Sequence, residues 1–449
     1  MCAIVLIIIV VGSLPLIMVK PYVGTLMWAW ISYFNPHRLT WGIADFIPYA
    51  QIVAIVTLGA WLVSKEPKLM MRNAIIVLML FLGVWVSFTT AFALVPDSAF
   101  DKWLQFFKIL LMTYVTYQML HTRERVNLLM WVIVLSVGVY GVKGGIFTIA
   151  TGGNYMILGP DESYYEANNS VGIALCMILP LMRYLQMETK SRLVYWAMMA
   201  AMLFTGIAVL ATYSRGAVLA IAGMLGFMWL KSRYKIFTGV FAVLAIIFAL
   251  SVMPDKWYDR IESIQNYEED WSSMERIKMW RYAVNVATER PMTGGGFGIF
   301  PETDLYPKYG LRLCGPEWYL LSPTENCVLK ARTSHSVYFD MIGEHGFFGF
   351  VVFVMLLIAG MLAGQRIIAQ SRRREELAWA RNLAAMSQTC IVGFAIGGLF
   401  VNMTYFDLYY HVLAILAATQ LIVARALAGE AEDTAKVPQM GGVRVAGQT

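Results

Sequence analysis

Residues 332–350 read RTSHSVYFDMIGEHGFFGF. A polar entrance carrying His335 and Glu344 gives way to a long apolar run, so the stretch reads as the mouth of a helix that crosses a bilayer. The rest of the chain agrees: of 449 residues 59% are hydrophobic and only 14% charged. An ordinary soluble domain is about 25% charged. The composition therefore indicates an all-α, polytopic membrane protein. The net charge of +6 does not point to nucleic acid, because bilayer proteins gather Lys and Arg in their cytoplasmic loops.

Apolar segments long enough for a hydrocarbon core of ~30 Å fall near 2–19, 46–64, 73–95, 103–120, 127–150, 169–187, 194–212, 216–230, 236–253, 336–364, 382–402 and 410–426. They predict about twelve transmembrane helices. The run 2–19 has no basic region before it and no small-residue cleavage site after it, so it reads as a retained helix. YVGTLMWAWISYF (22–34) is short and aromatic, which suits an interfacial or re-entrant piece. The loops SKEPKLMMR (64–72), HTRERV, METKSR, KSRYK and QRIIAQSRRREELAWAR are basic, and the loops between them are acidic or neutral. The positive-inside rule puts the basic set, and with it both termini, in the cytoplasm. Four regions follow: a transmembrane region 1–253, a large periplasmic loop 254–334 with amphipathic helices, C-terminal transmembrane helices 335–426, and a disordered cytoplasmic tail 427–449.

The outward face carries the chemistry. Arg215 lies in the two-span connection Tyr213-Ser214-Arg215-Gly216, where basic residues are uncommon; it is either a snorkelling arginine or part of an anion site. In the large loop, Ile277, Trp280, Val284 and Ala287 recur at helical spacing and predict an amphipathic helix over 275–288 that bears Arg276, Lys278 and Arg281. Gly294-Gly295-Gly296 allows a sharp turn or a close backbone approach, but fits neither a P-loop nor a dinucleotide fingerprint. His335 shares a helix face with Tyr338 and Phe339, whereas Glu344 projects from the opposite side, about 13 Å deeper on an unbroken helix. Gly343, Gly346 and Gly349 recur every third residue, as in close helix packing. No HExxH or DxD element competes, the histidines at 37, 121, 345 and 411 are scattered and read as structural, and no metal or cofactor is expected. Cys314 and Cys327 share one polar loop and form a candidate disulfide pair if that loop is exported.

Arginine forks bind phosphate oxygens, and a neutral histidine takes a proton near pH 7. Together they suit glycosyl transfer from a lipid-linked pyrophosphate to a hydroxyl outside the membrane. A transporter reading instead predicts paired charges near the midplane and broken helices in two related halves, neither of which is apparent in the sequence.

The combination R-x-x-x-W (276–280), P-x-x-G-G-G (291–296), H-S-x-Y-F and G-E-H-G (335–346) resembles the O-antigen ligase and polymerase superfamily. YSRG at Arg215 and GPDESYYEANNS (159–170) extend the likeness, and NPHRLTWG at Asn35 is similar to a ligase subgroup linked to O-glycosylation. The resemblance implies a GT-C-type, metal-independent, inverting glycosyltransferase of the bacterial inner membrane, with its active site on the periplasmic side. The implied donor is an undecaprenyl-pyrophosphate-linked glycan and the implied acceptor is lipid A-core, with membrane lipids as surroundings. An O-antigen polymerase or a protein O-oligosaccharyltransferase differs only in acceptor. By residue, Arg215 and Arg276 match arginines of the diphosphate site and His335 matches the general base, followed by Ser336 where many members have Asn. Arg281, Lys143 and Tyr338 are added on location, and Gly295 as a site-shaping position.

Overall fold

The computed structural model describes residues 3–40, 46–69, 73–232, 234–236, 239–240, 271–309 and 333–436. Its principal helices are α1 (Ala3–Val19), α2 (Pro21–Phe34), α3 (Tyr49–Val63), α4 (Ala74–Ala91), α5 (Pro96–Met119), α6 (Arg123–Ala150) and α7 (Asn168–Glu188). They continue with α8 (Arg192–Ala211), α9 (Arg215–Lys231), α10 (Trp271–Glu289), α11 (Val337–Gln370), α12 (Ala378–Gly397) and α13 (Asp407–Lys436). No strand occurs among the described residues. Six helices among them are long and apolar enough to cross a membrane: α4, α6, α7, α8, α11 and the Asp407–Gly429 part of α13. The apolar helices α1 and α3 are shorter. The crossing expected at 236–253 lies, apart from residues 236 and 239–240, outside the described residues, as do Cys314 and Cys327.

Two polar rims close the bundle. At the basic rim Arg125 forks onto Glu66 at 2.7 and 3.0 Å, Arg123 meets Glu188 at 2.8 Å, and Lys231 donates to Gln388 at 2.6 Å. At the other rim Leu94 N–H donates to Gly295 O (2.7 Å), Asn168 Nδ2 to Thr212 O (2.9 Å) and Val337 N–H to Gly398 O (2.8 Å). Between the rims α7, the most enclosed of the candidate spans, packs against α6, α8, α9 and α12.

The aromatic segment 22–34 is a helix that runs from the basic rim toward the other one, where the sequence suggested an interfacial or re-entrant piece. Tyr22 stacks beneath Arg125 at the basic rim, while Phe34 O accepts from Tyr140 at 2.6 Å near the other end of α6. Trp28, Ala29, Ile31 and Tyr33 are buried, so a helix of only 14 residues stays in the protein interior, where length need not match the bilayer. This extra traverse reverses α1. Val19 and Pro21 lie beside Ser64–Pro67 at the basic rim, and α1 meets the turn Pro36–Leu39 at the opposite one. The start of α1 is therefore on the same side as Arg215, not with the C-terminus as the loop charges suggested. At the other end, α13 continues as helix to Lys436, ten residues beyond the expected span end at 426.

Candidate functional site

The non-basic rim is built from helix starts. Ser214 caps α9 by accepting from Ala217 N–H at 3.2 Å, and Tyr213 takes the left-handed conformation (φ 54°) that turns the chain into that cap. Arg215 is thus the first residue of α9, where the helix dipole already presents partial positive charge. The start of α7 comes to the same place: Asn168 and Asn169 line one small polar pocket with Tyr213, Ser214, Arg215, Gly216, Phe400 and Arg276. Two helix N-termini and two guanidinium groups from distant parts of the chain therefore converge, which is the electrostatic signature of an anion site.

Arg276 is delivered by α10. Its buried stripe is Met279, Tyr282, Ala283, Val286 and Ala287, packed with Ile299, Phe300, Tyr306 and Tyr309. The face differs from the one expected from spacing by a rotation: Ile277 and Val284 are only half-buried, and Trp280 serves a different contact. The Trp280 ring stacks on Phe339 (centroids 4.8 Å apart, 6° between planes), and its N–H donates to Ser334 O at 2.9 Å. Trp280 stands about one helical turn beyond Arg276, so this bond ties the arginine's helix to the residue preceding His335.

His335 sits in a strained turn with φ 51°, a conformation uncommon outside glycine. The turn is over-determined. Ser334 Oγ accepts from Ser336 N–H at 3.0 Å and donates to Asp340 Oδ1 at 2.5 Å, while Thr404 Oγ1 donates to Asp340 Oδ2 at 2.7 Å. Two residues after His335, Val337 binds Gly398, in the same turn whose Gly397 and Phe400 crowd Gly216. Asp340 escapes the reading of the sequence; its signal there is an acid in the first turn of an otherwise apolar span.

The glycine run explains the G-E-H-G element. α11 is broken at Gly346 (φ 71°, ψ −179°), and the loop fills the break: Gly295 N–H donates to Gly343 O and Gly296 N–H to Glu344 O, both 2.8 Å, and Phe347 N–H to Pro291 O at 2.9 Å. Glu344 accepts from Gly298 N–H (3.0 Å) and Tyr405 O–H (2.6 Å), with Lys102 at 4.0 Å. His345 is held on both ring nitrogens, by Thr89 at 2.7 Å and Tyr405 at 2.9 Å. Gly343 makes the close packing expected of it, against Ala283 and Phe300, but Gly346 is a backbone break. α11 is thus a broken helix with two buried acids, Asp340 and Glu344, before the break, and the break itself is not legible in the sequence.

His335 is not one of the residues that line the Arg215–Arg276 pocket, and Arg281, Tyr338 and Lys143 lie apart from that lining too. Arg281 is on α10 about 140° around from Arg276, and burial lowers its pKa. Tyr338 donates to Ala395 O at 2.7 Å and packs on Phe350 and Phe353. Lys143 opens onto an apolar groove with Leu135, Val139, Met182 and Met198.

Fold and site together define a polytopic helical membrane protein with a cationic pocket at one rim. Residues 200–354, which contain Arg215, Arg276, His335 and the α11 break, match the O-antigen ligase family, and this domain supports the O-antigen ligase/polymerase superfamily. Members of that family are glycosyltransferase-like enzymes that act on lipid-linked glycans. Residues 1–190, including Lys143, match a family of unknown function. No curated protein matches the chain.

Proposed function

We propose that the protein is a lipopolysaccharide O-antigen ligase, moving a glycan from undecaprenyl pyrophosphate to a sugar hydroxyl of lipid A-core at the periplasmic face of the bacterial inner membrane. The observation that carries this reading is the shared pocket of Arg215 and Arg276 at the starts of α7 and α9. Its location at the rim opposite the basic loops supports an outward-facing site. In the inverting, GT-C-type reaction the acceptor oxygen attacks the anomeric carbon and the bond to the pyrophosphate oxygen breaks. His335 receives the hydroxyl proton, and the arginines take up the charge that develops on the departing pyrophosphate. Arg281, Lys143 and Tyr338 remain outside this pocket; Gly295 acts through the α11 break, by shaping the site.

The test is reconstitution of the full-length protein with an undecaprenyl-pyrophosphate glycan and lipid A-core, without added metal or nucleotide. Linked product from the wild type and none from His335→Ala, with donor binding retained in both, is the expected result. Elongated glycan with no core-linked product would make the protein a polymerase, and full activity of His335→Ala would remove the base.

A further inference from the structure

The basic rim holds a second cationic cavity, remote from the O-antigen ligase pocket and unused by the proposed reaction. It has a volume of about 620 Å³ and lies where the start of α4 meets α11 and α13. Its polar wall is formed by Arg366, Arg425, Asn73 and Gln420, and no acidic side chain lines it among the described residues. Asn73 Nδ2 donates to Gln420 Oε1 at 3.0 Å, which fixes the two amides as a rigid side of the cavity. Lys68 also lines it, but its ammonium donates to Trp61 O and sits over the Trp61 ring, so the two arginines supply the charge. Both arginines are exposed, and neither has an ion pair or hydrogen bond with a described residue.

The opposite wall is apolar. Ala359, Leu362 and Leu421 line it on the span side, and Leu362, half exposed at 51%, faces outward from α11. Two guanidinium groups at the level of the basic loops, above an apolar slot running down two membrane helices, match an amphiphile with an anionic head and a hydrocarbon tail. A soluble anion would leave the slot empty. We propose that this cavity binds the headgroup of an anionic phospholipid, with Arg366 and Arg425 on the phosphate and one acyl chain along Leu362 and Leu421.

The experiment uses the full-length protein in neutral detergent. Retention of phosphatidylglycerol is read by native mass spectrometry and its stabilising effect by the thermal midpoint, with zwitterionic phosphatidylethanolamine and free glycerol phosphate in parallel. The wild type should retain and be stabilised by phosphatidylglycerol only. Arg366→Gln/Arg425→Gln should weaken retention roughly thirtyfold, the scale expected for two basic groups beside an anionic headgroup, and Arg192→Gln at the same rim should not. Equal stabilisation by glycerol phosphate would overturn the lipid assignment, as would equal retention of phosphatidylethanolamine or unchanged retention in the double variant. If the double variant does not fold, Leu362→Trp, which fills the slot without altering charge, decides the matter: lost retention supports the site and wild-type retention overturns it.

Discussion

Ser334 donates to Asp340 at 2.5 Å, and that one bond fixes the residue before His335 to the first turn of α11. Because Thr404 occupies the other carboxylate oxygen, Asp340 joins the strained turn to the α12–α13 connection. Asp340 therefore acts as a positioning residue. Asp340→Ala should lower kcat by roughly tenfold to a hundredfold while leaving the donor KM near its wild-type value, the signature of a misplaced reacting group. Asp340→Asn should be milder, since an amide still accepts from one hydroxyl and the other hydroxyl can rotate to accept from its N–H. Steady-state kinetics of the three proteins checks the order, and a rise in donor KM equal to the fall in kcat would refute it.

Arg215 should show the reverse pattern. Arg215→Ala removes a charge-assisted fork from a site formed by two helix starts, and should raise the donor KM by roughly tenfold or more. Arg215→Lys should restore only part of the loss, because an ammonium is a point charge without the bidentate geometry. Donor titration of both variants separates the cases; complete rescue by Lys would mean that charge placement alone is at work.

Two glycines give opposite expectations for stability. Gly296 has φ 78°, and a Cβ there would lie 2.3 Å from Ala93 Cβ and 2.6 Å from its Cα. Gly296→Ala must displace the loop that fills the α11 break, at a cost of about 3 kcal/mol. Gly206, in the middle of α8, has nothing within 4 Å of the place a Cβ would occupy. Gly206→Ala should be neutral or stabilising by up to about 1 kcal/mol. Thermal midpoints in one detergent should fall for the first and hold or rise for the second.

What the sequence disclosed follows from the range of each signal. Apolar length is local, and most of the expected spans lie on helices. Loop charge is local too, and the two rims separate by it. The orientation of α1 failed because α2 is buried by its neighbours: a 14-residue helix enclosed by protein escapes the length rule that lipid imposes. The rotated face of α10 failed for a related reason, since that helix packs against α11 and the Ile299–Tyr309 segment, so its buried stripe answers to tertiary neighbours and not to a water boundary. Arg215 and Arg276 are each readable as unusual cations, but their meeting is not, because it depends on contacts between distant segments: Trp280 of α10 on Ser334 and Phe339, and Gly216 of α9 against Gly397 and Phe400. Gly294–Gly296 and Gly346 were visible only as flexible positions; that one fills the break made by the other is a relation between segments about 50 residues apart.

The basic rim predicts how stability changes with pH. His121 lies 3.5 Å from Glu66 but without hydrogen-bond geometry, and burial, reinforced by Arg125, lowers its pKa below the ordinary 6.5. The unfolded chain therefore binds the His121 proton more readily than the folded one. Stability from this group is fully present above the unfolded value and is lost as pH falls through the lower folded value. Glu66 has the same sign in a more acidic window: its hydrogen bond to Arg125 depresses the carboxyl below 4.5, so its contribution holds above that value and disappears beneath it. The thermal midpoint should accordingly decline as pH drops below about 6.5, and more steeply once Glu66 begins to protonate. His121→Gln, which cannot titrate, should flatten the first part of that decline and leave the second. An unchanged slope in the variant would assign the acid sensitivity to another group.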